Sequence, residues 1–216
     1  MNNVIEITRL SVRSTTAKNA SKIMEADNIP YRTLDCVNWE EEFPYKPEVK
    51  FRIAHTGSSI ILNYKVRELS VRAVEDRDNG NVWEDSCVEF FLQKPEEKEY
   101  YNIECNCIGK ILIACGANRS ERHFLSNDML DTVDRYTSLG NDTFEEKSAP
   151  EEWEVSLIIP SRLFGIKTLR NMHLKANFYK CGDMLSEPHY LSWMPINTPS
   201  PDFHQPSFFG KLIFKS

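Results

Sequence analysis

The chain has 216 residues, between one and two domains at about 150 residues each, and all-β domains alone often reach about 200–250. Hydrophobic residues make up 41% and charged residues 27%, with 12 Phe, 8 Tyr and 4 Trp, so a real core can form and a disordered or collagen-like chain is excluded. A net charge of −6 without a Lys/Arg run argues against a nucleic-acid partner, and no apolar run reaches the ~18 residues of a membrane helix. These features predict one soluble globular domain over residues 1–216.

The opening residues Met1–Leu10 hold no basic cluster followed by an apolar run, which predicts a cytoplasmic protein. A periplasmic or secreted location is the alternative if the start was trimmed. Cys87, Cys105, Cys107, Cys115 and Cys181 lie in or beside apolar runs, which predicts free thiols acting as small hydrophobes.

A short amphipathic helix is expected over residues 16–26. Lys50–Ala54 and Ile60–Val66 then read as neighbouring strands around a turn at Gly57-Ser58. Val88, Phe90 and Leu92 alternate with Glu89, Phe91 and Gln93. Tyr101, Ile103, Cys105 and Cys107 alternate with Asn102, Glu104 and Asn106. A turn at Ile108-Gly109 leads into Lys110–Ala114. Residues 116–150 are polar and read as long loops around a strand near Arg135–Leu139. Further strands are expected at Trp153–Ile159, Leu174–Tyr179, His189–Trp193 and Lys211–Phe214, with one helical turn at Pro160–Gly165. Short strands at this spacing predict an all-β fold, an antiparallel β-sandwich of jelly-roll type with one or two short helices.

The candidate chemistry begins at Trp83, which stands just before a strand. Its ring is either partial core or an exposed platform for the apolar face of a sugar. Asn102, Glu104 and Asn106 share one strand face, and Glu89 joins them if the two strands pair. That face is either a solvated sheet surface or a set of carboxylates and amides matched to sugar hydroxyls. Residues 188–214 are rich in aromatics, and Pro195, Pro199, Pro201 and Pro206 stiffen a loop that can present Trp193 or Phe203.

The segment Trp83–Phe91 resembles the opening signature of family 9 carbohydrate-binding modules, which runs from a Trp through Asp-Ser to Val-Glu-x-Phe. Phe203–Leu212 is similar to the family's closing Trp-x-x-Pro-x-x-Phe-Gly-x-Leu. The resemblance extends over roughly residues 30–216 and implies a β-sandwich that clamps the end of a saccharide, typically the reducing end, between two aromatic rings. It makes Trp83 one wall and Glu89 a carboxylate that bonds hydroxyls. Phe203 replaces the closing Trp, so the second wall falls to Phe203 or Trp193, with His204 beside it. A site position that is Arg in well-studied members is Glu104 here. The implied partners are a saccharide and, because such modules usually travel with hydrolases, a glycoside hydrolase chain. No organic cofactor is expected. Calcium is an open reading at Asp76 and Asp78, set against an ordinary polar turn.

The expected function is carbohydrate binding without catalysis. One alternative is a sugar-processing enzyme using Glu84, Asp85 or Glu89, although the backbones of Asp85 and Glu89 would lie ~13 Å apart on a strand, beyond the ~5–9.5 Å between working carboxyl groups. A ligand-free protein-interaction sandwich is the other. Cys105-x-Cys107 with His123 lacks the second pair of a zinc site.

Overall fold

The computed structural model describes residues 3–216. In chain order its elements are β1 (Val4–Ile7), α1 (Ala17–Ala26), β2 (Arg32–Thr33), β3 (Cys36–Val37), β4 (Glu48–His55), β5 (Ser59–Glu68) and β6 (Val71–Ala73). There follow β7 (Cys87–Gln93), β8 (Tyr100–Asn106), β9 (Ile111–Gly116), β10 (Arg122–Phe124), α2 (Asn127–Leu130), β11 (Asp134–Thr137) and β12 (Phe144–Lys147). The chain closes with β13 (Glu151–Pro160), β14 (His173–Cys181), β15 (Tyr190–Ser192) and β16 (Gly210–Phe214).

Two sheets form the expected sandwich. The larger runs β1-β16-β14-β7-β8-β9-β10, with β15 beside β14 and β3 beyond it; the smaller runs β11-β13-β5-β4-β2. One ladder departs from the expected antiparallel pattern, because β1 lies parallel to β16. The β4–β5 and β8–β9 hairpins turn at Gly57 and Gly109, whose φ values of 98° and 85° suit a residue without a Cβ. The residue 116–150 region holds more regular structure than expected, since β10, α2 and β12 flank β11. The two added strands are defined by pairing, which their own sequences do not signal.

Alternation gives β7 two different buried faces. Val88, Phe90 and Leu92 point between the sheets, where Phe178 of β14 stacks on Phe51 of β4 at 4.1 Å and on Phe90 at 5.0 Å. Full burial of each such side chain contributes about 1.5–3 kcal/mol. Cys87 and Phe91 face the other way into a second core, with Tyr179, Trp39, Ile196 and Phe203. The loop between β15 and β16 builds that core by folding back over the sheet. Asn38 accepts from the Ile196 amide, Trp39 Nε1 donates to Thr198 O, and the Tyr179 hydroxyl donates to Phe203 O.

A buried ion pair ties the sheets at one end. Lys180 Nζ of β14 lies 2.8 Å from Glu68 of β5, and both side chains are fully buried. Trp153 Nε1 donates to the other Glu68 oxygen, and Lys180 also donates to His189 Nε2 at 2.7 Å. Burial, aided by the Lys180 charge, pushes the His189 pKa well down and keeps the ring a neutral acceptor. Lys180→Met leaves the buried Glu68 without its counter-ion, so it should cost about 3–5 kcal/mol in denaturant unfolding. Lys180→Met/Glu68→Leu should recover most of that loss.

His55, fully buried edge-on to Phe214, is a second neutral core imidazole. Burial pushes its pKa down to about 4, with Arg9 and Arg170 adding to the fall. The folded state therefore binds fewer protons than the unfolded chain, whose His pKa is about 6.5. Stability from this group is complete above about pH 6.5 and is lost as pH falls towards 4. Across that window the wild type should lose up to about 3 kcal/mol relative to His55→Leu in parallel urea titrations.

Candidate functional site

The outer face of the large sheet carries one cleft at which the sequence motifs converge. It is shallow and open, with a cavity volume of about 60 Å³, below the ~300–1,000 Å³ of deep small-molecule sites. Glu89 and Glu104 form its floor, Trp83 one side, and Phe203 and His204 the other.

The floor follows from strand register. β7 pairs antiparallel with β8 so that Glu89 lies directly opposite Glu104. The polar face of β8 is not solvated. Asn102 and Asn106 are 0% exposed and Glu104 is 3% exposed, and the three side chains do different work. Asn102 Nδ2 donates to Glu104 Oε1 at 2.8 Å and so positions that carboxylate. Asn106 lies outside the cleft, where its amide donates to Asp85 Oδ2 and Glu75 O. Glu104 alone of the three lines the cleft, and its Oε2 is buried with no hydrogen-bond partner.

Two buried carboxyl groups side by side cannot both ionise cheaply. Burial first, then the Glu104 charge, pushes the Glu89 pKa well above the usual carboxylate range. Burial also raises Glu104, to about 7, but Arg122 at 3.6 Å and the Asn102 amide favour its charged form. Glu89 has no cation at that distance; its Oε1 accepts from the Cys181 thiol at 3.0 Å. Glu89 is therefore the protonated member of the pair.

Arg122, on β10, supplies a guanidinium beside the position where the family resemblance expects an arginine and finds Glu104. It also donates to His204 Nε2 at 3.2 Å. Arginine can only donate, so Nε2 must be the acceptor and the ring proton sits on Nδ1, 2.8 Å from the Tyr100 hydroxyl. Burial and the Arg122 charge push His204 down to about 3, consistent with this neutral tautomer.

The two candidates for the second wall separate clearly. Phe203 is 8% exposed, stacks on Tyr179 at 4.2 Å and lines the cleft. Trp193 packs instead against Phe178 and lies flat on Gly210, where a Cβ would meet its ring at 2.4 Å. Trp193 is thus half-buried against the core and does not line the cleft. Trp83 sits half-buried in a single helical turn, Val82–Glu84, and its carbonyl accepts from the Asp183 amide.

Asp85 is sequestered. Arg72 pairs with it at 2.7 Å, and the Val74 and Glu75 amides donate to it, which removes it from any acid–base role. Glu84 accepts from Asn81 and does not line the cleft. The loop around Asp76 and Asp78 is organised without converging carboxylates. Glu75 receives the Arg77 and Asn81 amides, Asp78 pairs with Arg135 at 2.8 Å, and Asp76 is exposed.

Arg119, Arg122, Asp183, Tyr190 and Asp202 also line the cleft and carry no motif of their own. Asp202 holds the loop in shape by accepting from the His204 amide and from Gln205. Asp183, raised to about 6 mainly by burial, sits on the loop docked against Trp83. Only the adjacency of Asp202 to Phe203-His204 could have flagged one of them in advance. Because Phe203 is wall and core together, Phe203→Ala should lower stability by about 3–5 kcal/mol in chemical unfolding.

Comparison with known proteins agrees with the fold. The description Carbohydrate-binding family 9 matches residues 18–214. A crystal structure from Bacteroides uniformis ATCC 8492, of a protein proposed to bind carbohydrate, is 44% identical, with a TM-score of 0.93 over 98% of this chain and 99% of that one. A family 9 module from Caldicellulosiruptor kristjanssonii in complex with glucose shares 12% identity at a TM-score of 0.64, over 98% of this chain and 95% of that chain. The corresponding cellotriose complex shares 13% at 0.59, over 98% and 93%. At those identities the two complexes show the fold alone. No curated protein matches the chain. With its two sheets, its paired signatures and a match across most of its length, the chain belongs to carbohydrate-binding family 9.

Proposed function

We propose that this module holds the terminal ring of a saccharide in the cleft between Trp83 and the Phe203-His204 loop, and that it does so without catalysis. The observation that carries the proposal is one cleft lined together by Trp83, the paired carboxyl groups of Glu89 and Glu104, and Arg122. Charged Glu104 accepts, protonated Glu89 can both donate and accept, and Arg122 donates only, so the cleft offers the mixed pattern that vicinal hydroxyls require. Trp83 supplies an apolar face for the ring C–H groups.

Hydrolysis is disfavoured by placement. An acid and a nucleophile must flank a glycosidic bond, whereas Glu89 and Glu104 stand side by side on neighbouring strands and meet one edge of a ligand. The glucose and cellotriose bound by the Caldicellulosiruptor module make β-glucans the first ligands to try. The partner proposed is the saccharide itself. A separate hydrolase chain is not required, nor is calcium at Asp78, whose charge Arg135 already offsets.

The test is tryptophan fluorescence and calorimetry with glucose, cellotriose and their reduced alditols. A few hydrogen bonds at about 1 kcal/mol each plus ring stacking predict dissociation constants from micromolar to millimolar. Trp83→Ala should weaken binding at least ~10-fold, and reduction to the alditol should abolish it if the ring end is what the cleft holds. Unchanged affinity in folded Trp83→Ala, or cleavage of the oligosaccharide, overturns the proposal.

A further inference from the structure

The cleft floor contains a second arrangement, which shares Glu89 with the proposed sugar site and adds two thiols that sugar binding does not use. Cys87 of β7 and Cys181 of β14 are direct partners across the antiparallel ladder, and Glu89 follows Cys87 by two residues on the same face. The two Sγ atoms and a Glu89 carboxylate oxygen all lie within 4.8 Å of one another, and this is the one such group of three metal-type donors among the described residues. Cys181 and Glu89 open on the cleft, while Cys87 lies beneath.

We infer that Cys87, Cys181 and Glu89 form a binding site for a soft d¹⁰ cation of the zinc class, with its fourth position facing the cleft. Two thiolates and one carboxylate are a donor set suited to such an ion. Ligand atoms at about 2.3 Å from a tetrahedral ion stand about 3.8 Å apart, so the three groups need sub-ångström adjustments at most. A second observation points the same way. This floor gathers two buried carboxyls, yet Arg122 pairs with Glu104, and the Glu89 carboxyl has the Cys181 thiol as its hydrogen-bond partner among the described residues.

Binding breaks the two S–H bonds and the Glu89 O–H bond, forms two metal–sulfur bonds and one metal–oxygen bond, and releases three protons to solvent. No electron is transferred. Affinity must therefore rise steeply with pH.

The experiment titrates Cd²⁺, as a spectroscopic stand-in for zinc, into the reduced full chain carrying Cys115→Ser, which removes the partly exposed thiol. A cadmium–thiolate charge-transfer band saturating at one equivalent is expected, with stoichiometric proton release. Cys181→Ser in that background should remove the band, and Glu89→Gln should keep both thiolates while weakening the site at least tenfold. If Cys181→Ser fails to fold by circular dichroism, Glu89→Gln decides. No band in the reduced protein, a band of equal strength in folded Cys181→Ser, or an unchanged affinity in Glu89→Gln overturns the inference. None of these readouts depends on a sugar.

Discussion

The candidate site depends on one strand register. β7 sits between β8 and β14, so that Glu89 faces Glu104 on one side and Tyr179 on the other, while Cys87 faces Asn106 and Cys181. A slip by one residue would turn Glu89 into the space between the sheets and push Val88, Phe90 and Leu92 onto the cleft side. Packing of those three residues against the opposite sheet, at about 1.5–3 kcal/mol each, makes such a slip prohibitive. The inner face of β7 thus holds in place a pair of carboxyl groups that would otherwise avoid each other.

The strain of that pairing is relieved unequally, and the inequality gives the site its chemistry. Glu104 has a guanidinium and an amide, both favouring its charge. Glu89 has a thiol and keeps its proton. Arg122 reaches the floor from β10, the edge strand of the large sheet, and its second bond sets the tautomer of His204. The loop carrying His204 is in turn held by Phe203 stacked on Tyr179, whose strand pairs with β7. A charge choice on the floor and the placement of the covering loop are therefore parts of one connected network.

The long strands were legible because alternation or dense apolar runs marked β4, β5, β7, β8, β9, β13, β14 and β16, and glycines marked two hairpins. The short elements β1, β2, β3, β6 and β10 were not. A strand of two to four residues exists through its partner's ladder, and its own sequence holds too few positions for a period. The same limit hid Arg119 and Arg122 in a polar stretch that reads as loop. Glu89 and Glu104 were legible as a face but not as a pair, since register is a property of two strands. For Trp193 and Phe203, two aromatics in one proline-rich segment, what separates them is a contact with Gly210 that no local pattern encodes.

In the proposed site, selectivity comes from donors and acceptors fixed before a ligand arrives. Asn102 and Arg122 hold the Glu104 carboxylate, and prolines stiffen the covering loop, so little ordering entropy opposes binding. Glu104 Oε2 is buried without a donor, a cost of about 1–3 kcal/mol that the fold carries to keep the two carboxyls paired. In this reading an accepting Glu104 beside a protonated Glu89 and Arg122 favours polyhydroxylated ligands, and Trp83 favours those that also present a flat apolar face.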